Sequence, residues 1–96
     1  MRSTVIFVMK EKSGQRAALE AILQEFLPVT RERDGCISIE AYGNSDVEGI
    51  LCVEQWASRP QYDAYLGWRI ERGDIDRVVQ LCAEQPSVRF FEAVDA

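Results

Sequence analysis

The residues best suited to chemistry fall in one stretch, residues 50–73, ILCVEQWASRPQYDAYLGWRIERG. Read as a strand, residues 50–57 put Ile50, Cys52, Glu54 and Trp56 on one face, because side chains alternate with period two. Read as a helix, the continuation puts Tyr62, Tyr65, Leu66 and Arg69 on one face. An inward carboxylate must be paired or hold its proton, since burying a bare charge is costly. Glu54 is therefore either the ion-pair partner of Arg69 or Arg89, or a general base with a raised pKa. Trp56 is either a core aromatic or a stacking wall for a planar substrate, with an indole N–H to give to a carbonyl oxygen. Tyr62 and Tyr65 either pack or, together with Arg69, hold a quinol or enolate oxygen. Trp68 and Arg69, beside Gly67, either pack or form a mobile mouth. Cys52 shares the face of Glu54 and reads as packing, with nothing basic nearby in sequence to lower its pKa. The candidate set is thus Glu54, Tyr62 and Tyr65 for catalysis, and Trp56, Trp68, Arg69 and Cys52 for lining a substrate site.

Composition narrows that chemistry. The chain has no histidine, which removes Ser-His and Cys-His nucleophilic sites, histidine-ligated zinc or haem, and imidazole proton transfer. Three widely spaced cysteines, Cys36, Cys52 and Cys82, fit neither a disulfide framework nor a CxxC metal site, and buried reduced thiols are expected. A net charge of −5 without a basic cluster argues against nucleic acid and anionic membranes as partners. The longest apolar run, Val5–Met9, is too short to span a bilayer, and no signal-peptide core is visible, so a cytoplasmic location is expected.

The elements that must position these residues follow from periodicity. The 96 residues allow one domain, 1–96, marginal alone and expected to gain from an oligomer interface. Residues 3–10 are apolar on both faces, the mark of a central strand. From Gln15 to Arg33, Leu19, Ile22, Leu23 and Phe26 form a helical stripe. Pro28 is expected to kink or divide that helix near Leu27, and Val29 to continue the packing. Asp34-Gly35 closes it. Residues 36–42 alternate, with Ile37, Ile39 and Ala41 on one face, and a polar turn leads to the strand at 50–57. Ser58, Pro60 and Gln61 form a helix start of capping-box type. Asp74 is placed to cap a further helix with stripe Ile75, Val78, Val79 and Cys82; Pro86 ends it, and residues 87–94 make the last strand. The order β-α-β-β-α-α-β, with right-handed crossovers, predicts a ferredoxin-like four-stranded antiparallel sheet with helices on one face. The other face keeps apolar side chains, so a two-fold, sheet-to-sheet homodimer is expected.

Three motifs lie in register on this topology: Lys12-Ser13-Gly14 before the first helix, Arg31-x-x-Asp34-Gly35-Cys36 before the second strand, and Glu54-x-Trp56-x-Ser58 before the second helix. Their order and spacing resemble the antibiotic biosynthesis monooxygenase family of dimeric α+β barrels, over roughly residues 3–94. The resemblance implies a barrel of two sheets at the dimer interface and a pocket between sheet and helices in each protomer. Members of that family oxygenate anthrones or quinols without metal or flavin, degrade haem, or bind signalling molecules. Where many members carry a histidine on the second helix this chain has Tyr65, which sets the haem-degrading branch aside. The anthrone-type branch is matched by Trp56 and Tyr62, six residues apart; its asparagine four residues before the tryptophan is Cys52 here.

Two functional readings follow. One is a monooxygenase that uses no cofactor and acts with dioxygen on a small planar aromatic, Glu54 or a tyrosine serving as base. The other is a non-catalytic, small-ligand-binding or stress-associated dimer using the same pocket. A purely structural interaction domain is a third, favoured only if no cavity exists behind the sheet.

Overall fold

The computed structural model describes all residues, Met1–Ala96. Four strands, β1 (Ser3–Met9), β2 (Cys36–Gly43), β3 (Ile50–Trp56) and β4 (Ser87–Phe91), form an antiparallel sheet of order β2-β3-β1-β4. Three helices complete the chain: α1 (Arg16–Arg31), α2 (Arg59–Glu71) and α3 (Asp74–Leu81). This is the ferredoxin-like order expected, with the doubly apolar β1 in the sheet interior between β3 and β4.

Register decides which side chains meet the helices. Val5 lies opposite Glu54, Phe7 opposite Cys52 and Met9 opposite Ile50, so the inner faces of β1 and β3 share one layer. The burial of β3 alternates along its length, with Ile50, Cys52, Glu54 and Trp56 all buried. Strand β2 departs from simple alternation. A register shift between Cys36 and Ser38 inserts an extra residue, and Ile37 is left 51% exposed while Ile39 is buried. A bulge of this kind turns one residue out of the pleat without changing the strand's composition.

Helix α1 runs unbroken through Pro28. Its buried stripe is Leu19, Ile22, Leu23, Phe26 and Thr30. The position expected of Val29 is taken by Thr30, whose hydroxyl donates to the Phe26 carbonyl at 3.0 Å; Val29 is 43% exposed. Pro28 sits on the outer side, which spares the core the clash of its ring, although Gln24 C=O loses its helical donor.

Helix α2 begins as its sequence requires. Ser58 Oγ accepts the Gln61 N–H at 3.3 Å, and proline stands in the first turn. Gln61 Nε2 reaches Asp34 at 3.3 Å, and the Ala57 N–H donates to Gly35 C=O at 2.7 Å. Gly35 has φ 88°, and a Cβ there would stand 2.6 Å from Gln61 Cδ, so the Asp34-Gly35 corner is the seat of α2. Helix α3 starts at Gly73, in the left-handed region (φ 81°), and not at Asp74 as a capping residue. The Asp74 carboxylate is occupied elsewhere, by Arg69 and Arg72. Strand β4 ends at Phe91, three residues short of the expected bound.

Candidate active site

Between the sheet and the helices lies an inner cavity of about 50 Å³ lined by 13 residues, 11 of them apolar. The two others are Glu54, from β3, and Thr30, from α1. Strand parity aims Glu54 at the helices and β1 covers its flank, so the residue is 4% exposed. Burial raises its pKa to about 7 from 4.5, although a hydrogen bond from Trp56 opposes the rise. Trp56 Nε1 donates to Glu54 Oε1 at 3.0 Å. Neither Arg69 nor Arg89 pairs with it, so the expected ion pair is replaced by a single neutral donor. The carboxyl of Glu54 thus lacks a cationic partner and faces a largely apolar space near neutral pH.

Trp56 serves Glu54 in place of a substrate. It is fully buried, stands 5.6 Å and edge-on to Tyr62, and lies 5.0 Å from Tyr65 at a 33° tilt. Its ring is thus covered by two tyrosines and its N–H is committed to Glu54, so Trp56 is the support of the site and not its stacking wall. Such aromatic pairs contribute roughly 0.5–1.5 kcal/mol each beyond burial, enough to hold the indole where Glu54 needs it.

Tyr62 and Tyr65 both reach the cavity, together with Cys52. Burial pushes the Tyr62 phenol well above its ordinary value, and Glu54 adds to the shift. Its hydroxyl enters none of the side-chain hydrogen bonds that engage Glu54, Thr30 and Tyr65, so its proton is available to a ligand. Tyr65 differs. Arg69 Nε donates to its oxygen at 3.1 Å, and it lies 2.7 Å from Thr30 Oγ1, whose own hydrogen goes to Phe26 C=O. The Tyr65 proton is therefore given to Thr30, which leaves the phenol a fixed member of a buried network. Cys52 is inert here: burial, then Glu54, push its thiol up to about 12.

Trp68 and Arg69 stand outside the cavity. Arg69 is 2% exposed and bonds Asp74 at 2.8 Å, Tyr65, and the Phe26 carbonyl at 3.1 Å. Burial alone would lift the Asp74 carboxyl, but hydrogen bonds from Arg69 and Arg72 hold it below the ordinary carboxylate value. Trp68 is half-buried beneath the Arg33 guanidinium, 4.1 Å from its ring, with Arg69 at 4.9 Å and Arg72 at 5.0 Å. The pair fastens α2 to α1 and α3, and of the two readings offered by the sequence, packing or a mouth, the contacts are those of a packed cation–aromatic stack.

Two features of the site escaped the sequence. Thr30 extends the α1 stripe at four residues past Phe26, a signal hidden by its polarity. Arg16 and Glu11 form a latch: Arg16 Nε donates to Glu11, which also accepts the Gly49 N–H at 2.7 Å, while Arg16 Nη2 reaches Val47 C=O and Gly49 C=O, both at 3.2 Å. The latch ties the start of α1 to the β2–β3 loop and so fixes the strand that carries Glu54.

The sequence profile of the family described as antibiotic biosynthesis monooxygenase matches residues 2–70. The chain belongs to this family. Among its curated relatives is "Putative monooxygenase Rv0793" of Mycobacterium tuberculosis, 30% identical over 77 residues, covering 74% of this chain and 76% of that protein. The structure of Rv0793 superimposes with a TM-score of 0.88 at 25% identity, covering 100% of this chain and 98% of that one. SnoaB, a cofactor-independent oxygenase from Streptomyces nogalater solved as a mutant, gives a TM-score of 0.83 at 10% identity over 99% of this chain and 95% of that chain, a likeness of fold alone. In this member of the family, no group of three or more Cys, Asp or Glu side chains is placed to hold a metal ion, and no helix is long and apolar enough to cross a membrane.

Proposed function

We propose that the protein is a cofactor-independent monooxygenase of a small, electron-rich planar aromatic such as an anthrone or quinol, with Glu54 as the proton acceptor. The observation that carries this reading is the Glu54 carboxyl, lacking a cationic partner, facing an apolar cavity, with a pKa near 7. A base works best with a pKa near the working pH, and an apolar surround favours uptake of a proton. For an anthrone, Glu54 removes one proton from the methylene carbon, and the ring system delocalises the electron pair onto its carbonyl oxygen. The Tyr62 hydroxyl donates to that oxygen as charge builds there. The carbanion supplies both electrons to dioxygen; a C–O bond forms, and the resulting peroxide loses water to leave a quinone carbonyl. One oxygen atom enters the product, the other leaves as water, and no external reductant is consumed.

The second copy expected from the sequence belongs to this proposal. The outer sheet face presents Ile6, Val8 and Val53 half-buried, with Leu51 and Phe91 36% and 51% exposed, and it offers no helix to cover them. A two-fold, sheet-to-sheet homodimer covers that face. A second functional reading is a non-catalytic dimer that binds a small ligand. The inner cavity, about 50 Å³ against the roughly 300–1,000 Å³ of sites that take drug-sized ligands, limits both readings to a ligand that extends beyond it.

An oxygen-electrode assay against anthrones and quinols, on metal-stripped protein, separates the two readings. The oxygenase reading requires protein-dependent uptake of one dioxygen per quinone formed, greatly reduced in Glu54→Gln. Ligand binding without any protein-dependent uptake across the panel leaves the binding reading alone.

A further inference from the structure

The inner cavity is too small for a whole bicyclic or tricyclic ring system, so the rings beyond the reacting one must sit elsewhere. The largest concavity of the molecule is a groove of about 400 Å³ between α1 and β2, with no α2 residue in its lining. Its volume falls within the range of small-molecule sites. Leu23 and Leu27 line both this groove and the inner cavity, so these two α1 side chains border the groove on one side and the space that holds Glu54 on the other. Leu23 is anchored in the core, whereas Leu27 is only half-buried.

The groove's polar groups have a definite pattern. Gln24 and Pro28 both line it, and Pro28 has no N–H, so the Gln24 carbonyl lacks its helical donor. That leaves an acceptor without a helical donor on a turn that lines the groove, suited to a phenolic hydroxyl. Arg31, at the same wall, donates to Ile39 C=O at 2.9 Å through Nη2, the nitrogen that also lies 3.5 Å from Glu40. Its other nitrogens remain as donors for a phenolate or quinone oxygen. The missing hydrogen bond also weakens the turn that carries Leu27, the residue that must move to join the two spaces.

We infer that the α1–β2 groove is the binding chamber for the ring system of a bicyclic or tricyclic hydroxylated aromatic, and that Leu27 is the gate through which its reacting carbon reaches Glu54. This rests on the oxygenase reading for the chemistry, but the groove is argued from its own geometry. On this account Leu27 sets specificity: its size limits how far a ligand passes toward the carboxyl.

The test uses a hydroxyanthraquinone, which binds as a planar phenol but has no methylene proton to lose. Titrated into isotope-labelled protein, it is expected to shift the amide signals of Leu23, Gln24, Leu27 and Ala41. Gln24→Trp fills the groove from an exposed helix position without touching the core, and circular dichroism checks that it folds. It is expected to weaken analogue binding about tenfold or more, while Leu27→Ala raises turnover of bulkier anthrones relative to smaller ones. Shifts confined to α2, undiminished binding in Gln24→Trp, or no binding at all overturn the inference. If the analogue occupies the groove but no anthrone is oxygenated, the groove stands and the oxygenase reading falls. If oxygen uptake proceeds unchanged in Gln24→Trp, the groove falls and the oxygenase reading stands.

Discussion

Replacing Glu54 with glutamine makes a quantitative test of the buried carboxyl, because its perturbed pKa implies a definite dependence of stability on pH. The ordinary value is 4.5 and the folded value about 7. Between these two pH values the unfolded chain has released the proton while the folded chain still holds it. Stability therefore falls as pH rises, by about 1.4 kcal/mol per pH unit. Below pH 4.5 both states are protonated and the full stability is present; above about 7 both are ionised and no further change occurs. The interval of about 2.5 pH units gives a total loss of about 3 kcal/mol, an order-of-magnitude figure. Glutamine keeps an acceptor for Trp56 Nε1 but cannot ionise. Any constant penalty for its amide in the cavity is the same at every pH and drops out of the slope. Other titrating groups, including Glu11 and Asp74, are common to both proteins and cancel in the difference. Urea unfolding of both, from pH 4.5 to 8, is expected to show Glu54→Gln gaining about 3 kcal/mol relative to wild type across that range. A difference that stays flat with pH would mean that Glu54 is ionised throughout, and the reasoning about an unpaired buried carboxyl fails with it.

Four further outcomes follow from the same geometry. Arg69→Ala removes the buried partner of Asp74 and leaves it only the more exposed Arg72, with an expected loss of up to about 3–5 kcal/mol in urea unfolding, whereas a loss under 1 kcal/mol would show the pair to be dispensable. Pro28→Ala restores the donor for Gln24 C=O on an exposed turn; thermal unfolding should show a gain of about 1–3 kcal/mol, together with weaker analogue binding. Val53→Glu places a charge on the outer sheet face and is expected to convert a dimer to a folded monomer by light scattering; a wild-type monomer removes the dimer proposal. Glu11 is held below its ordinary pKa: burial opposes this, but bonds from the backbone and Arg16 prevail. Its contribution to stability is present above about pH 4.5 and lost as pH falls through the folded value, so Glu11→Gln should be less sensitive to acid than wild type.

Much of this was legible because most of the chain obeys simple periods. Alternation on residues 50–57 put Cys52, Glu54 and Trp56 on one face but left open whether that face meets the helices or a second copy. The structure turns it to the helices, and the stripe on α1 predicted four of its five buried residues. Ser58 and Gly35 marked real boundaries, because a cap and a positive φ each demand a particular residue type. What stayed hidden depended on reach and register. The Ile37 bulge adds one residue to a strand without any compositional mark. Arg69 shares a helical face with Tyr65, yet its long side chain reaches across the α2–α3 turn to Asp74, which no spacing rule encodes. Whether Trp56 gives its N–H to a ligand or to Glu54 depends on a 3.0 Å contact within one strand. Neither the division of the interior into a small cavity and a larger groove, nor the part of Pro28 in it, shows in the pattern of apolar residues.

The proposal that Glu54 abstracts a proton from a ring methylene can be isolated from every later step by excluding oxygen. An anthrone deuterated at that carbon is incubated anaerobically with the protein in ordinary water, and loss of deuterium is followed by mass spectrometry. The account predicts protein-dependent washout above the uncatalysed rate, rising as pH passes through about 7 and abolished in Glu54→Gln. Washout that equals the background rate, or that survives intact in Glu54→Gln, would contradict it.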